Sequence, residues 1–177
     1  RPEPRRLARP ESRPVVDPAA LVHPDFAAVV GLNRRIVDEP SIEKVFRQLV
    51  DEAARLCGAE RAFLAVFGES DEARVVASRG IVPEEALQSF SLGVARKACE
   101  TGQPVVTAEV PGGRDKGSRS VLAAPVRSPH RRGALYLDHR LRLGVFGPRE
   151  MALVEAIADQ CALAFGRAAL EQALALH

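Results

Sequence analysis

The end of the chain restricts the fold more than any other segment. After Pro148 no proline interrupts the sequence up to Leu176, and apolar residues recur at intervals of three and four. This spacing predicts a single long helix that begins at Pro148 and lays one apolar stripe on a sheet. At about 1.5 Å per residue it reaches about 43 Å, so its end should project from a small domain. The stripe consists of Val154, Ile157, Cys161, Phe165 and Ala168.

A second apolar face follows the same predicted helix. Leu163, Leu170 and Leu174 recur at spacings of seven and four. Leucines at such spacing on a projecting helix favour a partner helix. We therefore expect a homodimer in which these leucines pair together with Phe26 and Val30 of a first predicted helix. The alternative is that the tip of the helix has no partner.

The rest of the pattern alternates between helical and extended segments. Residues 24–38 and 41–57 have helical periodicity, and Ser41 and Gly58 mark the two ends of the second helix. In the first helix we expect Phe26, Val29, Val30, Ile36 and Val37 to share the inner stripe. Shorter helices are predicted at 83–88 and 91–101. Strands are predicted at 61–67, 73–78, 104–110, 120–127 and 133–139, with a bulge or a sheet edge at Pro125.

This order predicts an α+β fold, with a central antiparallel sheet and the N- and C-terminal helices packed on one face. The globular domain spans 24–176. Residues 1–23 differ from it, because the first 20 contain five Arg and five Pro. Such a composition suits an extended linker. A basic arm for nucleic acid is the alternative, but the segment has no aromatic residue on which bases would stack.

Composition excludes several classes of protein. The formal net charge is only +2, which gives no general case for nucleic-acid binding. No apolar run approaches the ~18 residues of a membrane helix. Three widely spaced cysteines indicate buried thiols in a reducing compartment, and hence a cytoplasmic protein.

No residue pattern indicates an enzyme or a metal site. The four histidines, at 23, 130, 139 and 177, lack the spacing of metal ligands. We find no nucleophile–base pair and no phosphate-binding nucleotide loop. Cys57 and Cys161 fall on apolar helical faces, where thiols are normally inert. We expect neither catalytic residues nor a cofactor.

Two features suggest a small ligand or a chemical signal. The segment 111–120 combines glycines, cations and hydroxyls that suit an anion, through Arg114, Lys116, Ser118 and Arg119. Arg96 on the neighbouring helix would add a guanidinium. The alternative is a plain solvent-facing turn. Cys99 lies on the same helix, where Arg96 and Lys97 would lower its pKa and make it a redox switch.

Over residues 24–176 the sequence resembles a GAF domain. Five segments carry the resemblance, and they occur in the order of that family: Ser41-Ile-Glu-Lys-Val-Phe with Ala59-Glu-Arg-Ala-Phe-Leu, Ala95-Arg-Lys-Ala-Cys-Glu-Thr-Gly-Gln-Pro-Val, Ser120-Val-Leu-Ala-Ala-Pro-Val, Gly133-Ala-Leu-Tyr-Leu-Asp, and the start of the last helix from Phe146-Gly-Pro-Arg-Glu-Met. The sensory GAF domains of bacterial sigma-54-type transcriptional regulators are the most similar group. Similar domains also precede histidine kinases and cyclases.

The resemblance implies a six-stranded sheet, of which the sequence locates five strands. It also implies a ligand pocket on the sheet face opposite the terminal helices, roofed by residues 80–119. Two ligand patterns of the family are missing, the Asn-Lys…Phe…Asp set for cyclic nucleotides and a cysteine placed to attach a bilin.

Three functions therefore remain open. The first is a sensory domain that binds an unknown small molecule and controls an output domain on the same polypeptide. The second is a dimerisation scaffold with a vestigial pocket. The third is a redox switch at Cys99.

Overall fold

The computed structural model describes residues 24–110 and 118–177, apart from the side chains of Phe26, 108–110, 118 and 119. The predicted linker 1–23 therefore lies outside the described residues. The elements, in chain order, are α1 (Pro24–Asp38), α2 (Ile42–Cys57), β1 (Arg61–Phe67), β2 (Ala73–Arg79), α3 (Pro83–Gln88), α4 (Phe90–Thr101), β3 (Val105–Val110), β4 (Ser118–Arg127), β5 (Arg132–His139) and α5 (Pro148–Ala175).

The five strands form one antiparallel sheet in the order β2-β1-β5-β4-β3. Successive side chains of β1 point to opposite faces. Ala62, Leu64 and Val66 pack with α1, α2 and α5, whereas Phe63 and Phe67 pack with α3 and α4. The terminal helices thus share one face, as predicted, and both faces of the sheet are covered. Five strands, not six, are formed by the residues that the structure describes.

The ends of α2 lie where the sequence placed them. The hydroxyl of Ser41 accepts a hydrogen bond from the Lys44 N–H at 3.4 Å, which satisfies one of the unpaired donors of the first turn. Gly58 ends the helix with φ +64°, a left-handed conformation that glycine adopts without strain. These two residues fix the connection from α2 into β1.

The predicted inner stripe of α1 wrongly includes Val37 and omits Leu32, which is buried. Val37 is 78% exposed, and the buried residues of this helix are Leu32 and Ile36. Val30 is half-buried, and the side chain of Phe26 lies outside the described residues. Val37 lies about 100° around the helix axis from the buried Ile36, which turns it away from the face that packs against α2 and α5.

Pro125 lies in a continuous ladder, because β4 pairs with β5 without a bulge and Pro125 is opposite Ala134. The sheet edge that we expected is present locally. Strand β3 begins at Val105, opposite Ala123, so β4 has a strand on one side only where Pro125 occurs. Because no residue of β3 lies opposite Pro125, the missing N–H of this proline deprives no β3 carbonyl of a hydrogen bond.

Helix α5 has a buried half and an exposed half. Val154, Ile157, Cys161 and Phe165 are at most 4% exposed, which confirms four members of the predicted stripe, whereas the fifth, Ala168, is half-buried. Beyond them, every residue from Leu170 onward is exposed. At its start, Glu150 accepts a hydrogen bond from the N–H of Gly147 at 2.8 Å. Among the described residues, no helix has the length and apolar content needed to cross a membrane.

Candidate functional site

The sheet face opposite α5, which we call the distal face, is where the resemblance predicts a pocket. Phe63 and Tyr136 stack there with ring centroids 4.6 Å apart, and both are buried. Ala95 and Ala98 of α4 are completely buried against the sheet. Small side chains on α4 allow it to approach the sheet closely, so the described side chains fill much of this face.

One end of the distal face carries a buried polar cluster. Arg61 of β1 donates from Nε to Asp138 Oδ1 of β5 at 2.8 Å, and its Nη2 lies 2.5 Å from Oδ2. The hydroxyl of Tyr136 donates to the same Oδ2 at 2.8 Å. Asp138 is fully buried. Burial by itself lowers the pKa of Arg61, but the hydrogen bond and the charge of Asp138 together outweigh burial, so the pKa of Arg61 is raised.

Arg96, which we expected to bind an anion, lies at the edge of the distal face. Its Nη1 donates to the carbonyl oxygen of Asp71 at 3.0 Å and lies 2.5 Å from the Asp71 carboxylate. The guanidinium carbon is 4.8 Å from the centroid of the Phe67 ring. Asp71 itself has φ +66° in the β1–β2 turn. Arg96 therefore joins α4 to this turn.

The remaining residues of the predicted anion site are only partly described. Arg114 and Lys116 lie outside the described residues, and Ser118 and Arg119 begin β4 with no description of their side chains. The anion site at Arg96, Arg114, Lys116, Ser118 and Arg119 thus stays a prediction. The described member, Arg96, already has a carboxylate partner.

The expectation that cations lower the pKa of Cys99 is wrong in direction. Cys99 is half-buried, and burial raises its pKa more than the opposing influence of Arg132 and Arg96 lowers it. Burial also raises the pKa of Cys57 and of Cys161 to about 12. The sequence identified one of these cations, Arg96, but named Lys97 instead of Arg132, and it gave no measure of the desolvation that outweighs both.

Histidines and acids do not converge in the described part of the chain. No group of three or more His, Cys, Asp or Glu side chains there is arranged to hold a metal ion. His139 instead supports the loop after β5. Its Nδ1 accepts hydrogen bonds from the N–H groups of Leu141 and Arg142, both at 3.2 Å.

Sequence reasoning missed the buried cluster of Arg61, Tyr136 and Asp138. The available signal was a charge at the end of each of two apolar runs, Arg61 before one and Asp138 after the other. Only the antiparallel register, which pairs Arg61 with Asp138, brings them together.

Several solved structures share this architecture. The GAF domain of an Acinetobacter phosphoenolpyruvate-protein phosphotransferase matches with a TM-score of 0.68 and 14% identity, over 82% of this chain and 94% of that one. A methyl-accepting chemotaxis protein, residues 122 to 287, matches with a TM-score of 0.62 and 17% identity, over 80% and 99%. The second GAF domain of DevS from Mycobacterium smegmatis matches with a TM-score of 0.59 and 24% identity, over 76% and 99%.

At these identities the likeness shows the fold. No curated protein matches the sequence. The profile of the GAF domain family, however, matches residues 41–165, which are 125 of the 177 residues. This range begins at the N-cap of α2 and ends at Phe165, the last large side chain that α5 buries. The chain belongs to the GAF domain family.

Proposed function

We propose that this GAF domain is the regulatory, sensory part of a larger bacterial signalling protein. In this role it binds a small molecule and passes the change to an output domain through paired helices. The output we propose is that of a sigma-54-type transcriptional regulator, on the resemblance of the five quoted segments, and a histidine kinase or a cyclase is the alternative output. Similar folds in a chemotaxis protein and a phosphotransferase support the regulatory role without selecting an output.

The exposed leucines of α5 carry this proposal. Leu163, Leu170 and Leu174 are 68%, 62% and 67% exposed, although four residues of the other stripe of this helix are at most 4% exposed. Exposed leucines repeated along one helical face are costly in water and are stabilised by a partner helix. In a homodimer the two α5 helices would pair through this stripe, beside the half-buried Val30 of α1.

A ligand that prefers one of two arrangements of α5 would shift the population of that arrangement. Because α5 also packs on the sheet through Val154 and Phe165, a change in the core moves the same helix that bears the leucines. An output domain attached beyond α5 would respond to the angle or register of the pair.

The dimerisation scaffold is the second candidate. The close approach of α4 to the sheet favours it, because Ala95 and Ala98 occupy space in which the family holds ligands. In this case the paired helices persist, and no small molecule controls them.

Native mass spectrometry with two variants tests the proposal. The wild-type domain should be a dimer, and Leu163→Glu with Leu170→Glu should make it monomeric without loss of helical content. Leu141→Glu is the matched control, since Leu141 is 76% exposed in the loop after β5, away from the stripe. A wild-type monomer would contradict the paired helices, and a dimer without bound mass would favour the scaffold.

A further inference from the structure

A cavity lies on the helical face of the sheet, on the opposite side from the distal face. It has a volume of about 190 Å³ and lies between α2, β2, the β4–β5 turn and the later part of α5. Its floor is apolar: Phe46 and Phe165 meet with ring centroids 5.1 Å apart, and Val66 lies beside them. These three side chains are 4–6% exposed, so the floor belongs to the core.

The rim of this cavity is cationic. Arg74 reaches it from β2, and Arg131 and His130 reach it from the turn between β4 and β5. In the part of the chain that the structure describes, Arg74 and Arg131 have no ion-pair partner. An acid, Glu43, and a further cation, Arg47, line the wider depression next to the cavity.

Small side chains of α5 keep the cavity open. Ala168 and Ala169 form its wall on that helix, with Gln172 one turn further along. The imidazole of His130 lies directly against α5, because a Cβ added to Gly166 would be 3.6 Å from its Cδ2. The β4–β5 turn and α5 thus meet at the mouth of the cavity.

We infer that this cavity binds a small organic anion with a flat apolar body, such as an aromatic carboxylate. A cavity of about 150 Å³ is enough for a benzene ring, so about 190 Å³ leaves room for the ring and part of a carboxylate. The ring would lie on Phe46 and Phe165. The carboxylate would point to the rim, where guanidinium groups offer paired donors.

The ligand would bridge α5, the sheet edge and the β4–β5 turn, which together line the cavity. It would contact α5 at Ala168 and Ala169, the sheet edge at Arg74 and the turn at Arg131. Binding would therefore hold the later part of α5 on the sheet. The site does not depend on the proposed dimer or on a ligand at the distal face, so failure of either proposal leaves the other standing.

Titration of the 177-residue chain, followed by amide chemical shifts in NMR, tests this inference with three probes. Sodium benzoate should bind and shift the amides of Ala168, Ala169 and Arg131. Benzamide, which has nearly the same shape without the charge, should bind at least about tenfold more weakly, and inorganic phosphate should not shift the α5 amides.

Variants locate the site. Arg74→Gln and Arg131→Gln should each weaken benzoate binding about tenfold, since each removes charge-assisted hydrogen bonds. Ala168→Leu should abolish binding by filling the cavity while keeping a residue that favours helix. Arg34→Gln, an exposed cation of α1 outside the cavity, is the control and should leave the affinity unchanged. Circular dichroism of each variant checks the fold.

Three results would overturn the inference. One is absence of benzoate binding up to about 10 mM, which is about ten times a dissociation constant of 1 mM. Another is equal binding of benzamide, which would mean that the rim does not recognise charge. The last is benzoate affinity unchanged in both Arg74→Gln and Arg131→Gln, which would place the ligand elsewhere.

Discussion

Arg61 and Asp138 face each other across β1 and β5, and neither side chain is more than 10% exposed. Two parallel hydrogen-bond donors of the guanidinium, Nε and Nη2, each meet one of the two carboxylate oxygens. A buried pair of this kind contributes little relative to apolar residues, but the loss of one partner leaves the other charge without compensation. The two single variants and the pair therefore behave differently.

Asp138→Asn should lower the free energy of unfolding by about 3–5 kcal/mol, because the Arg61 charge stays buried. The double variant Arg61→Met with Asp138→Leu should recover part of this loss, because it removes both buried charges but also removes the acceptor of the Tyr136 hydroxyl. Urea denaturation measures both. Asp51→Asn is the control, since Asp51 pairs with Arg79 at 3.9 Å on the surface and its loss should cost under about 1 kcal/mol. A double variant no more stable than Asp138→Asn would contradict this account.

Glu60 should make stability depend on acid pH. Hydrogen bonds from Arg140, including 2.8 Å from its Nε to Oε1, lower the pKa of Glu60 below its ordinary value of 4.5. A carboxyl with a lowered pKa in the folded state adds stability that is fully present above pH 4.5 and is lost as the pH falls through the lowered pKa.

The variant Glu60→Gln should therefore be less stable than the wild type at pH 7, and the difference should shrink below about pH 4.5. Denaturation curves at a series of pH values give the comparison. Glu69→Gln, in the exposed β1–β2 turn, should change the free energy of unfolding little. A Glu60→Gln difference that is the same at every pH would exclude linkage as its cause.

The cysteines should react slowly in the folded protein. At pH 8 a thiol with a pKa of about 12 is ionised in about one molecule in ten thousand, which applies to Cys57 and Cys161. Cys99 is half-buried, so it should react first, although more slowly than a free thiol. A thiol-specific dye, with mass spectrometry to locate the label, measures the three rates.

In denaturant all three cysteines should react at one common rate. Cys99→Ser should remove the first phase of labelling in the folded protein and leave the other two unchanged. Labelling of Cys99 as fast as a free thiol would revive the redox switch that its raised pKa argues against.

Arg167 fastens α5 to the corner between α1 and α2. Its guanidinium donates to the carbonyl oxygens of Glu39 and Pro40, both at 2.8 Å. Arg167→Gln should lower the free energy of unfolding by about 1–2 kcal/mol, since both carbonyls lose a charged donor. Glu171→Gln is the control, because it removes only the exposed pair of Glu171 with Arg167.

Urea denaturation of the two variants gives the comparison, and amide exchange at 39–41 should rise in Arg167→Gln alone. Equal effects of both variants would mean that the ion pair with Glu171, not the carbonyl contacts, holds the corner.

Local patterns predicted the elements of this fold well and the interactions between elements poorly. Ser41 and Gly58 act through the backbone within a few residues, so their roles follow from sequence. Val37 was misplaced because its burial depends on how far the neighbours of α1 extend, which periodicity does not contain. Four of the five predicted members of the inner stripe of α5 are buried, because this half of the helix lies along the sheet and one face of it stays in contact with the core.

The candidate sites show the same division. The pairing of Arg61 with Asp138 spans 77 positions of sequence and requires the register of two strands. The cavity above Phe46 and Phe165 combines residues of α2, β1, β2, the β4–β5 turn and α5, so no contiguous sequence motif indicates it. The pKa of Cys99 depends on burial, for which adjacent charges are no substitute.

The continuity of α5 sets the form in which any signal can leave this domain. Its backbone is helical without interruption from Pro148 to Ala175, so there is no proline joint at which motion of the buried half is absorbed. Consecutive residues of a helix are separated by about 100° around its axis. A shift of α5 by one residue position on the sheet would thus rotate Leu170 and Leu174 about the helix axis by about a quarter of a circle. The helix would then transmit the signal as a rotation about its own axis.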